Sequence, residues 1–297
     1  MAVAIDRETA YGVAQEVAAR LGVDQSEPEL LGPVADNAVF RLPGRMVARI
    51  SGAAAYERAL REVQTGRWLA GQGMPAVRPL ESTELPWLVD GYVVTIWHEV
   101  LDAAMASTAE LAMLLRQLHS LPVPTDFEIP RLDPSARLRD HLAAGAPALS
   151  EDDREFLSRR LDELLQDYEA LAADLSTVVI HGDANRKNAI RGSDGSVVLL
   201  DLERFSLGPR EWDLVVPAVY QRLGWYDDAE YAAFVDGYGW DVRTSPGFGT
   251  LAALRELRMT LWLISRLPRE PRLTPEADNR IASLRAPDAP RSWTPGT

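Results

Sequence analysis

Residues 178–205 read VVIHGDANRKNAIRGSDGSVVLLDLERF, a stretch in which short apolar runs alternate with polar residues. The run TVVI at 177–180 predicts a strand that ends at a polar loop of residues 181–188. The dipeptide Asp194-Gly195 predicts a tight turn, and the run VVLLD after it predicts a second strand that ends in Asp201-Leu202-Glu203. The stretch therefore predicts polar side chains on a loop and at the end of a neighbouring strand.

Three polar side chains of this stretch fit the needs of phosphoryl transfer. That reaction requires a carboxylate that orients the attacking hydroxyl and accepts its proton. It also requires metal ions on the nucleotide phosphates, held by hard oxygen ligands such as carboxylate and amide groups. Asp183 and Asn188 lie five positions apart on one loop and can face opposite sides of a reacting phosphate, while Asp201 can complete a metal site. An ordinary β hairpin with polar turns is the alternative interpretation.

With these spacings, the stretch resembles the aminoglycoside phosphotransferase and choline kinase superfamily, whose members are relatives of the protein kinases. The catalytic loop of that superfamily reads H-G-D-x-x-x-x-N, which matches His181-Gly182-Asp183 and Asn188, and its metal-binding strand ends in an aspartate, which matches Asp201. The resemblance implies that Asp183 is the catalytic base, that His181 braces the loop, and that Asn188 and Asp201 bind Mg²⁺. It extends over about residues 30–265 and is strongest in 178–215.

The first hundred residues mix helical and strand patterns around one predicted hairpin. Residues 37–50 read as two strands, AVFRL and MVARI, joined at a Pro43-Gly44 turn. The other predicted elements are helices at 7–21 and 54–71 and strand-like runs at 77–80 and 91–97. Beyond these, helical patterns dominate at 107–121, 134–145, 150–174 and from Arg210 onward. We therefore expect an α+β chain with a small mixed lobe followed by a larger helical lobe.

The resemblance implies a two-lobed, protein-kinase-like arrangement for these parts. The nucleotide-binding N-terminal lobe is expected over residues 1–100, with a hinge near 97–103. The helical C-terminal lobe, over 101–297, is expected to provide catalysis and acceptor binding. The Pro-rich residues from about 286 onward predict an extended tail.

The resemblance also implies which residues contact the nucleotide. A kinase-like small lobe carries a basic residue on its third strand and a helix glutamate that pairs with it, and these are Arg49 and Glu62 here. Most relatives have lysine in place of Arg49. Because Lys187 is the only lysine of this chain, we interpret the arginine as a substitute that contacts nucleotide phosphate. The alternative is a surface Arg49 with an unrelated Glu62.

Other expected contacts with the nucleotide come from two loop segments. Relatives place a Gly-rich or polar turn over the phosphates, and here Asp36 and Asn37 are expected to cap that turn. Glu99 and Val100 fall where the hinge of the family presents backbone groups to the base. Asp213 resembles the buried aspartate of the family that hydrogen-bonds the catalytic loop. The expected donor is ATP or GTP with Mg²⁺.

The segment 225–241, WYDDAEYAAFVDGYGWD, holds five acids and six aromatic residues and no basic residue. Carboxylates pair with ammonium groups, and aromatic faces add cation–π attraction of ~0.5–2 kcal/mol each. This favours a cationic acceptor such as an aminoglycoside, an amino sugar or another cationic alcohol. The acids expected to contact it are Glu203, Asp227, Asp228 and Glu230. The alternative is a solvated acidic helix face whose aromatic residues pack inward.

The composition narrows the class of protein. With 44 acids against 31 bases, the net charge of −13 argues against a nucleic-acid-binding protein and against an anionic membrane surface as partner. The absence of cysteine excludes disulfides, thiolate metal sites and cysteine nucleophiles. The sequence shows no secretory signal pattern, and no apolar run approaches the ~18 residues of a membrane span. A cytoplasmic location is therefore expected.

Two functions of different classes follow. The first is a Mg²⁺-dependent phosphotransferase that moves the γ-phosphate of ATP or GTP to a hydroxyl of a small molecule, in antibiotic modification or in metabolism. The alternative is a catalytically silent kinase-fold protein that binds nucleotide or a small ligand as a regulator. Two features favour it, namely Arg49 and the segment GPVADNAVF at 32–40, which offers only Gly32 and Asn37 where relatives have a Gly-rich or polar turn. The complete set of Asp183, Asn188 and Asp201 favours the enzyme. A hydrolase that uses Asp183 and His181 is rejected because the loop has no serine or cysteine nucleophile.

Overall fold

The computed structural model describes residues 5–34, 37–81, 84–101, 103–286 and 291–295. Within these ranges the helices are α1 (Arg7–Arg20), α2 (Tyr56–Gly71), α3 (Thr108–His119), α4 (Leu138–Gly145), α5 (Glu151–Ala172), α6 (Glu211–Arg222), α7 (Asp228–Tyr238), α8 (Phe248–Arg266) and α9 (Thr274–Arg285). The strands are β1 (Glu29–Leu30), β2 (Asn37–Leu42), β3 (Met46–Gly52), β4 (Trp87–Val89), β5 (Tyr92–His98), β6 (Ala104–Met105), β7 (Thr177–Ile180), β8 (Ala189–Arg191), β9 (Val197–Leu199) and β10 (Ser206–Pro209). The α+β class predicted from the sequence is confirmed. No helix among these residues has the length and apolar character needed to cross a membrane.

The chain divides into two compact units. Unit 1 consists of Met1–Ala106, Val123–Ile129 and Arg186–Phe205, and unit 2 of Ser107–Pro122, Pro130–Asn185 and Ser206–Thr297. The lobe bounds 1–100 and 101–297 stay predictions, and the units differ from them by including 101–106, 123–129 and 186–205 in unit 1. Parts of three predicted features lie outside the described residues, namely Asp36, residue 102 of the hinge, and residues 287–290 and 296–297 of the tail.

Unit 1 is built on a five-stranded antiparallel sheet in the order β1-β2-β3-β5-β4. The predicted hairpin is present, with Val39 opposite Arg49 across β2 and β3. Along β2, buried side chains alternate with more exposed ones, which is the pattern of a strand with one face in the core. Helix α1 packs on β2 and β3, and α2 packs on β5. A second sheet, β6-β8-β9, completes the unit.

Two elements are shorter than their sequence patterns predict. The run at 77–80 was expected to form a strand, but only isolated bridges at Ala76 and Pro79 form there. Pro79 has no N–H group to donate to a strand ladder, which accounts for the difference. The helix expected over 134–145 begins at Leu138.

The strand after the Asp194-Gly195 turn also ends early. It was expected to run to Asp201-Leu202-Glu203, but β9 ends at Leu199. Asp201 has a left-handed backbone with φ of +55°, and Leu202–Arg204 form a 3₁₀ turn. Asp201 therefore lies in a sharp bend that turns the chain out of the sheet.

Unit 2 is organised around α8, whose buried leucine positions recur at spacings of three and four residues. This spacing places one continuous apolar stripe along the helix, formed by Leu251, Leu254, Leu257, Leu261 and Ile264. Helices α4, α5, α6 and α9 pack against α8. The strands β7 and β10 form a separate antiparallel pair, and β7 ends at the polar loop. The core thus supports one end of β7, where the predicted chemistry begins.

The residues at 291–295, here called the C-terminal strap, pack on unit 2 without forming a helix or strand. Trp293 is buried, and its carbonyl oxygen accepts a hydrogen bond from Trp225 Nε1 at 2.8 Å. Arg291 Nε donates to Glu256 Oε2 at 3.2 Å, and both side chains are almost fully buried. These contacts attach the strap to α8 and to the residues that follow α6.

Gly145 provides a test of the packing between α4 and α8. A Cβ atom at this position would lie 2.2 Å from Ile264 Cγ2 and 2.7 Å from the Ile264 carbonyl oxygen. We expect Gly145→Ala to lower the free energy of unfolding by about 1–3 kcal/mol in urea titration, because the backbone must move apart. Gly249→Ala is the control, since nothing lies within 4 Å of its Cβ and alanine favours a helix by about 0.5–1 kcal/mol. Equal effects of the two substitutions would contradict this account of the packing.

Candidate active site

The loop that follows β7 is held by one buried carboxylate in unit 2. The backbone N–H of His181 donates to Asp213 Oδ2 at 2.7 Å, and that of Gly182 donates to Asp213 Oδ1 at 2.8 Å. Gly182 has φ of +84°, a left-handed conformation that suits glycine. Trp212 Nε1 donates to the Gly182 carbonyl oxygen at 3.2 Å. The prediction that Asp213 hydrogen-bonds this loop is confirmed.

Asp213 has a third partner deep in the same unit. His119 Nε2 lies 3.1 Å from Asp213 Oδ2, and His119 Nδ1 lies 2.9 Å from the Tyr238 hydroxyl. Asp213 and His181 have no exposed surface, and His119 is buried as well. A buried carboxylate is tolerated where hydrogen-bond donors surround it. The contacts of Asp213 therefore make the start of the loop a rigid platform.

Asp183 stands on this platform with a partly exposed side chain. Its backbone N–H lies 3.3 Å from His181 Nδ1, and its carbonyl oxygen accepts from the Asn185 N–H at 3.0 Å. The predicted bracing of the loop by His181 thus has a direct contact. The side chain of Asp183 is 30% exposed, and its Oδ1 accepts from Arg255 Nη1 at 3.2 Å. The carboxylate is therefore held and still reachable from solvent.

Arg255 is a residue of this site that the sequence analysis missed. It lies on α8, its side chain is 12% exposed, and its Nη2 donates to the Tyr220 hydroxyl at 3.1 Å. Burial lowers the pKa of Arg255, but Tyr220 and Asp183 together outweigh burial and raise it, so the group stays a cation. The available signal was the position of Arg255 in the sequence, one helical turn after the buried Leu251 of α8.

Unit 1 contains a cluster of charged side chains around Arg49. Its Nη1 donates to Glu62 Oε2 and its Nη2 to Glu203 Oε2, both at 2.8 Å. Arg58 Nη1 donates to Glu203 Oε1 at 3.2 Å. With its carboxamide oxygen turned toward Arg49, Asn37 accepts from Nε at 3.1 Å and from Nη2 at 3.0 Å. The predicted pairing of Arg49 with Glu62 is confirmed, and the nucleotide contacts of this cluster stay predictions.

The pKa values of the two acids in this cluster, Glu62 and Glu203, are shifted in opposite directions. Burial raises the pKa of Glu62 to about 7, with Arg49 acting against burial and the Glu203 and Asp201 carboxylates adding to it. Burial also acts to raise the pKa of Glu203, but Arg58 and Arg49 outweigh it and lower the pKa below its ordinary value. Glu203 was predicted to contact the acceptor; in the structure its carboxylate is bound by the two arginines.

Asn188 lies at one end of the β8-β9 ladder in unit 1, opposite Leu200, and Asp201 follows Leu200 directly in the chain. Ala189 is opposite Leu199, and the Leu200 N–H donates to the Asn188 carbonyl oxygen at 2.8 Å. An amide and one carboxylate fit Mg²⁺, which keeps several waters and binds proteins through one or two such ligands together with substrate phosphates. The described part of the chain has no group of three or more His, Cys, Asp or Glu able to hold a metal ion, and Mg²⁺ binding by Asn188 and Asp201 stays a prediction.

The remaining predicted contacts have local roles in the structure. The Glu99 N–H donates to the Arg45 carbonyl oxygen at 2.9 Å, and the Glu99 carboxylate accepts from Arg41. Val100 follows directly and is half-buried. Contacts of Glu99 and Val100 with the base stay predictions.

The acids proposed for acceptor binding in unit 2 begin helix α7. Asp227 caps α7 by accepting from the Glu230 N–H at 2.7 Å, and Glu230 accepts from the Asp227 N–H at 3.0 Å. Asp228 accepts from Gln221 Nε2 at 2.8 Å. Helix capping explains these hydrogen bonds, and an acceptor role for the three acids stays a prediction. The aromatic residues Tyr231, Phe234 and Tyr238 pack inward, as in the alternative interpretation.

Asp213 can be tested by its neutral isostere. In Asp213→Asn, the amide nitrogen faces one of the two backbone N–H donors, so one buried donor loses its partner. We expect the free energy of unfolding in urea to fall by about 1–3 kcal/mol. The control is Asp162→Asn, whose exposed ion pair with Arg139 predicts a change within about 0.5 kcal/mol. A loss at Asp213 no larger than the loss at Asp162 would show that the platform does not depend on this carboxylate.

The raised pKa of Glu62 predicts that the stability of the folded chain depends on pH. The pKa of Glu62 is about 7 in the folded chain against a reference value of 4.5, so the folded state binds more protons between these values. Raising the pH from 5 to 8 therefore removes stability through Glu62, by up to about 3 kcal/mol. Relative to the native chain, Glu62→Gln should gain unfolding free energy over that pH range in urea titrations. A difference that stays constant, or that falls with pH, would contradict the raised pKa.

Comparisons with known proteins agree with the features described above. The model of a family described as the phosphotransferase enzyme family matches residues 29–257. A search of the curated proteins found no match. Among solved structures, the chain is similar to the aminoglycoside phosphotransferase APH(3'')-Id from Streptomyces rimosus, with 26% identity, a TM-score of 0.64, and coverage of 86% of this chain and 99% of that chain.

Two more distant structures share the fold. The choline kinase LicA from Streptococcus pneumoniae is 15% identical, with a TM-score of 0.65 and coverage of 92% of this chain and 98% of that chain. The amicoumacin kinase hAmiN is 13% identical, with a TM-score of 0.71 and coverage of 97% of both chains. The α+β fold of this chain is therefore that of the protein-kinase-like small-molecule kinases. Since the family match spans well over half of its length, the chain belongs to the phosphotransferase enzyme family and is a small-molecule kinase that acts on hydroxyl groups.

Proposed function

We propose that this kinase moves the γ-phosphate of ATP or GTP, with Mg²⁺, to a hydroxyl of a small cationic molecule, with Asp183 as the catalytic base. The observation that carries the proposal is the loop at 181–185. Asp213 holds its first two backbone N–H groups, and Arg255 holds the Asp183 carboxylate, which is still 30% exposed. A rigid carboxylate that solvent can reach is what a base for an incoming hydroxyl requires.

The proposed reaction follows from the groups on this loop and on the β8-β9 ladder. Asp183 orients the acceptor hydroxyl and takes its proton as the hydroxyl oxygen attacks the γ-phosphorus. The bond from that phosphorus to the bridging oxygen breaks, and the nucleoside diphosphate leaves with the electron pair. Asn188 and Asp201 would hold Mg²⁺, which neutralises charge on the phosphates when bound. His181 acts through the loop, by its contact with the Asp183 N–H.

The nucleotide is proposed to use the cluster around Arg49. Arg49, kept in place by Glu62, would contact a phosphate, and Asn37 beside it would help to close the phosphate site. Glu99 and Val100 would present backbone groups to the base. The relative APH(3'')-Id was solved with ADP and streptomycin, at 26% identity to this chain. That complex supports a nucleotide donor and a cationic acceptor here, for an enzyme of antibiotic modification or of metabolism. The cytoplasmic location stays a prediction from the sequence.

One observation favours a second candidate, the silent regulator. Arg49 is bound by the Glu203 carboxylate as well as by Glu62, so a phosphate would have to compete for its guanidinium. In that case nucleotide would bind weakly or without turnover. The two candidates differ in one measurable quantity, the acceptor-stimulated release of nucleoside diphosphate.

The test measures ADP and GDP release with Mg²⁺ against aminoglycosides, amino sugars, choline-like alcohols and neutral sugars. We expect one cationic class to stimulate release and EDTA to abolish it. Asp183→Asn should lower turnover by about 10²–10⁴-fold while Mg²⁺–nucleotide binding is kept. Asp201→Asn should weaken that binding itself.

Asp194→Asn is the matched control, because Asp194 lies in the same stretch and its carboxylate binds only the adjacent turn through Ser196 in the contacts seen. It should retain full activity. Near-normal turnover of Asp183→Asn would refute the assignment of the base. Nucleotide binding with no release for any acceptor, in the native chain, would favour the regulator.

A further inference from the structure

We propose that Arg255 is a positioning residue for phosphoryl transfer, which orients the Asp183 carboxylate and is itself oriented by Tyr220. This inference rests on the proposed role of Asp183 as the base. All three residues belong to unit 2, and α6 and α8, which carry Tyr220 and Arg255, pack against each other.

The side chain of Asp183 has a partner outside its own loop, Arg255 on α8. Its N–H and its carbonyl oxygen have partners within the loop, in His181 and Asn185. With 30% of its side chain exposed, packing alone does not select one rotation of the carboxylate. The hydrogen bond from Arg255 Nη1 to Oδ1 at 3.2 Å selects that rotation. A base must present its oxygen to the hydroxyl within a narrow range of distance and angle.

Arg255 in turn is held on several sides. Its Nη2 donates to the Tyr220 hydroxyl at 3.1 Å, and its guanidinium carbon lies 5.8 Å from the centre of the Tyr220 ring. The Tyr220 ring packs against Trp225 at 4.9 Å and Tyr226 at 5.4 Å between ring centres. Trp225 is bound by the C-terminal strap through the Trp293 carbonyl oxygen. An aromatic cluster attached to the strap therefore sets the place of the guanidinium.

Arg255 forms hydrogen bonds through both of its Nη groups but not through its Nε group. Its buried Nε has no hydrogen-bond partner among the described residues. An unsatisfied buried donor lowers stability. The observed placement directs one Nη group to the base and the other to Tyr220. The guanidinium is thus placed for two contacts at once, one with the proposed base and one with the residue that holds it.

The kinetic test compares Arg255→Gln, Arg255→Lys and Tyr220→Phe with the native chain. We expect Arg255→Gln to lower kcat by about 10–100-fold, the size of effect that misplacement of a reacting group produces, while KM for the nucleotide stays within about twofold. Arg255→Lys keeps the charge without the planar fork and should recover part of the loss. Tyr220→Phe should give a smaller loss of the same kind, because Arg255 keeps its direct bond to Asp183.

Arg266→Gln is the matched control, since it removes an arginine of α8 whose ion pair is with Glu270. It should leave kcat and KM unchanged. A kcat of Arg255→Gln within twofold of the native value, or a change in the nucleotide KM as large as that in kcat, would overturn the inference. So would a loss for Arg266→Gln equal to that for Arg255→Gln, because any weakened α8 would then account for it.

A crystal structure of Arg255→Gln decides the inference without reference to activity. We expect the backbone of residues 181–185 to superpose on that of the native chain, with the Asp183 carboxylate rotated or in two conformers. An unchanged carboxylate would overturn the positioning role. If the native chain released no nucleoside diphosphate with any acceptor, the proposed function would fail, and this structural comparison would still decide whether Arg255 orients Asp183.

Discussion

The carboxylate of Asp213 is fully buried in unit 2. A buried carboxylate is stable only if hydrogen-bond donors surround it. Two of its donors are consecutive backbone N–H groups, those of His181 and Gly182, and the third contact is His119. Satisfying Asp213 therefore imposes the backbone path of the loop at the end of β7. Because Gly182 must take a left-handed conformation on that path, the residue after it leaves the platform in one direction. The place of the Asp183 backbone is thus a consequence of where Asp213 is buried.

Arginine chemistry explains the charged clusters of both units. A guanidinium has separate Nη groups in a planar fork, so it can bind two partners at once, whereas the ammonium of lysine is a point charge. Arg49 uses this geometry to bind Glu62 and Glu203 through different nitrogens. Arg255 does the same with Asp183 and Tyr220. The arginine at position 49 therefore has a second partner, Glu203, which it binds through its other Nη group.

The sequence predicted the parts of the candidate site that depend on short spacings. Asp183, Asn188 and Asp201 were proposed because the loop and the hairpin lie within one stretch, and the pair of Arg49 and Glu62 was proposed from the family resemblance. Arg255 was missed because 72 residues separate it from Asp183. Helical periodicity indicates which face of α8 is buried, but it does not say which other helix that face meets.

Local sequence patterns also do not determine what the acidic segment at 225–241 binds or where strands end. The cation site at 225–241 stays a prediction from composition, and the structure adds that the Asp227 and Glu230 side chains form a capping box with backbone N–H groups at the start of α7. The end of β9 depends on the left-handed backbone of Asp201, which a non-glycine residue adopts only when surrounding structure requires it. The run at 77–80 has the apolar residues of a strand but contains Pro79, which has no N–H group for a strand ladder.

Unit 1 is assembled from three separate segments of the chain, and this has a consequence for synthesis on the ribosome. Glu203 follows Arg49 by 154 residues, which corresponds to roughly 8–30 s of translation at 5–20 residues per second. During that interval the five-stranded sheet can form with Arg49 paired to Glu62 alone. The charge cluster gains Glu203 only after most of the segments of unit 2 that precede residue 186 have emerged. An N-terminal fragment that stops before residue 186 would therefore contain the sheet with an incomplete charge cluster.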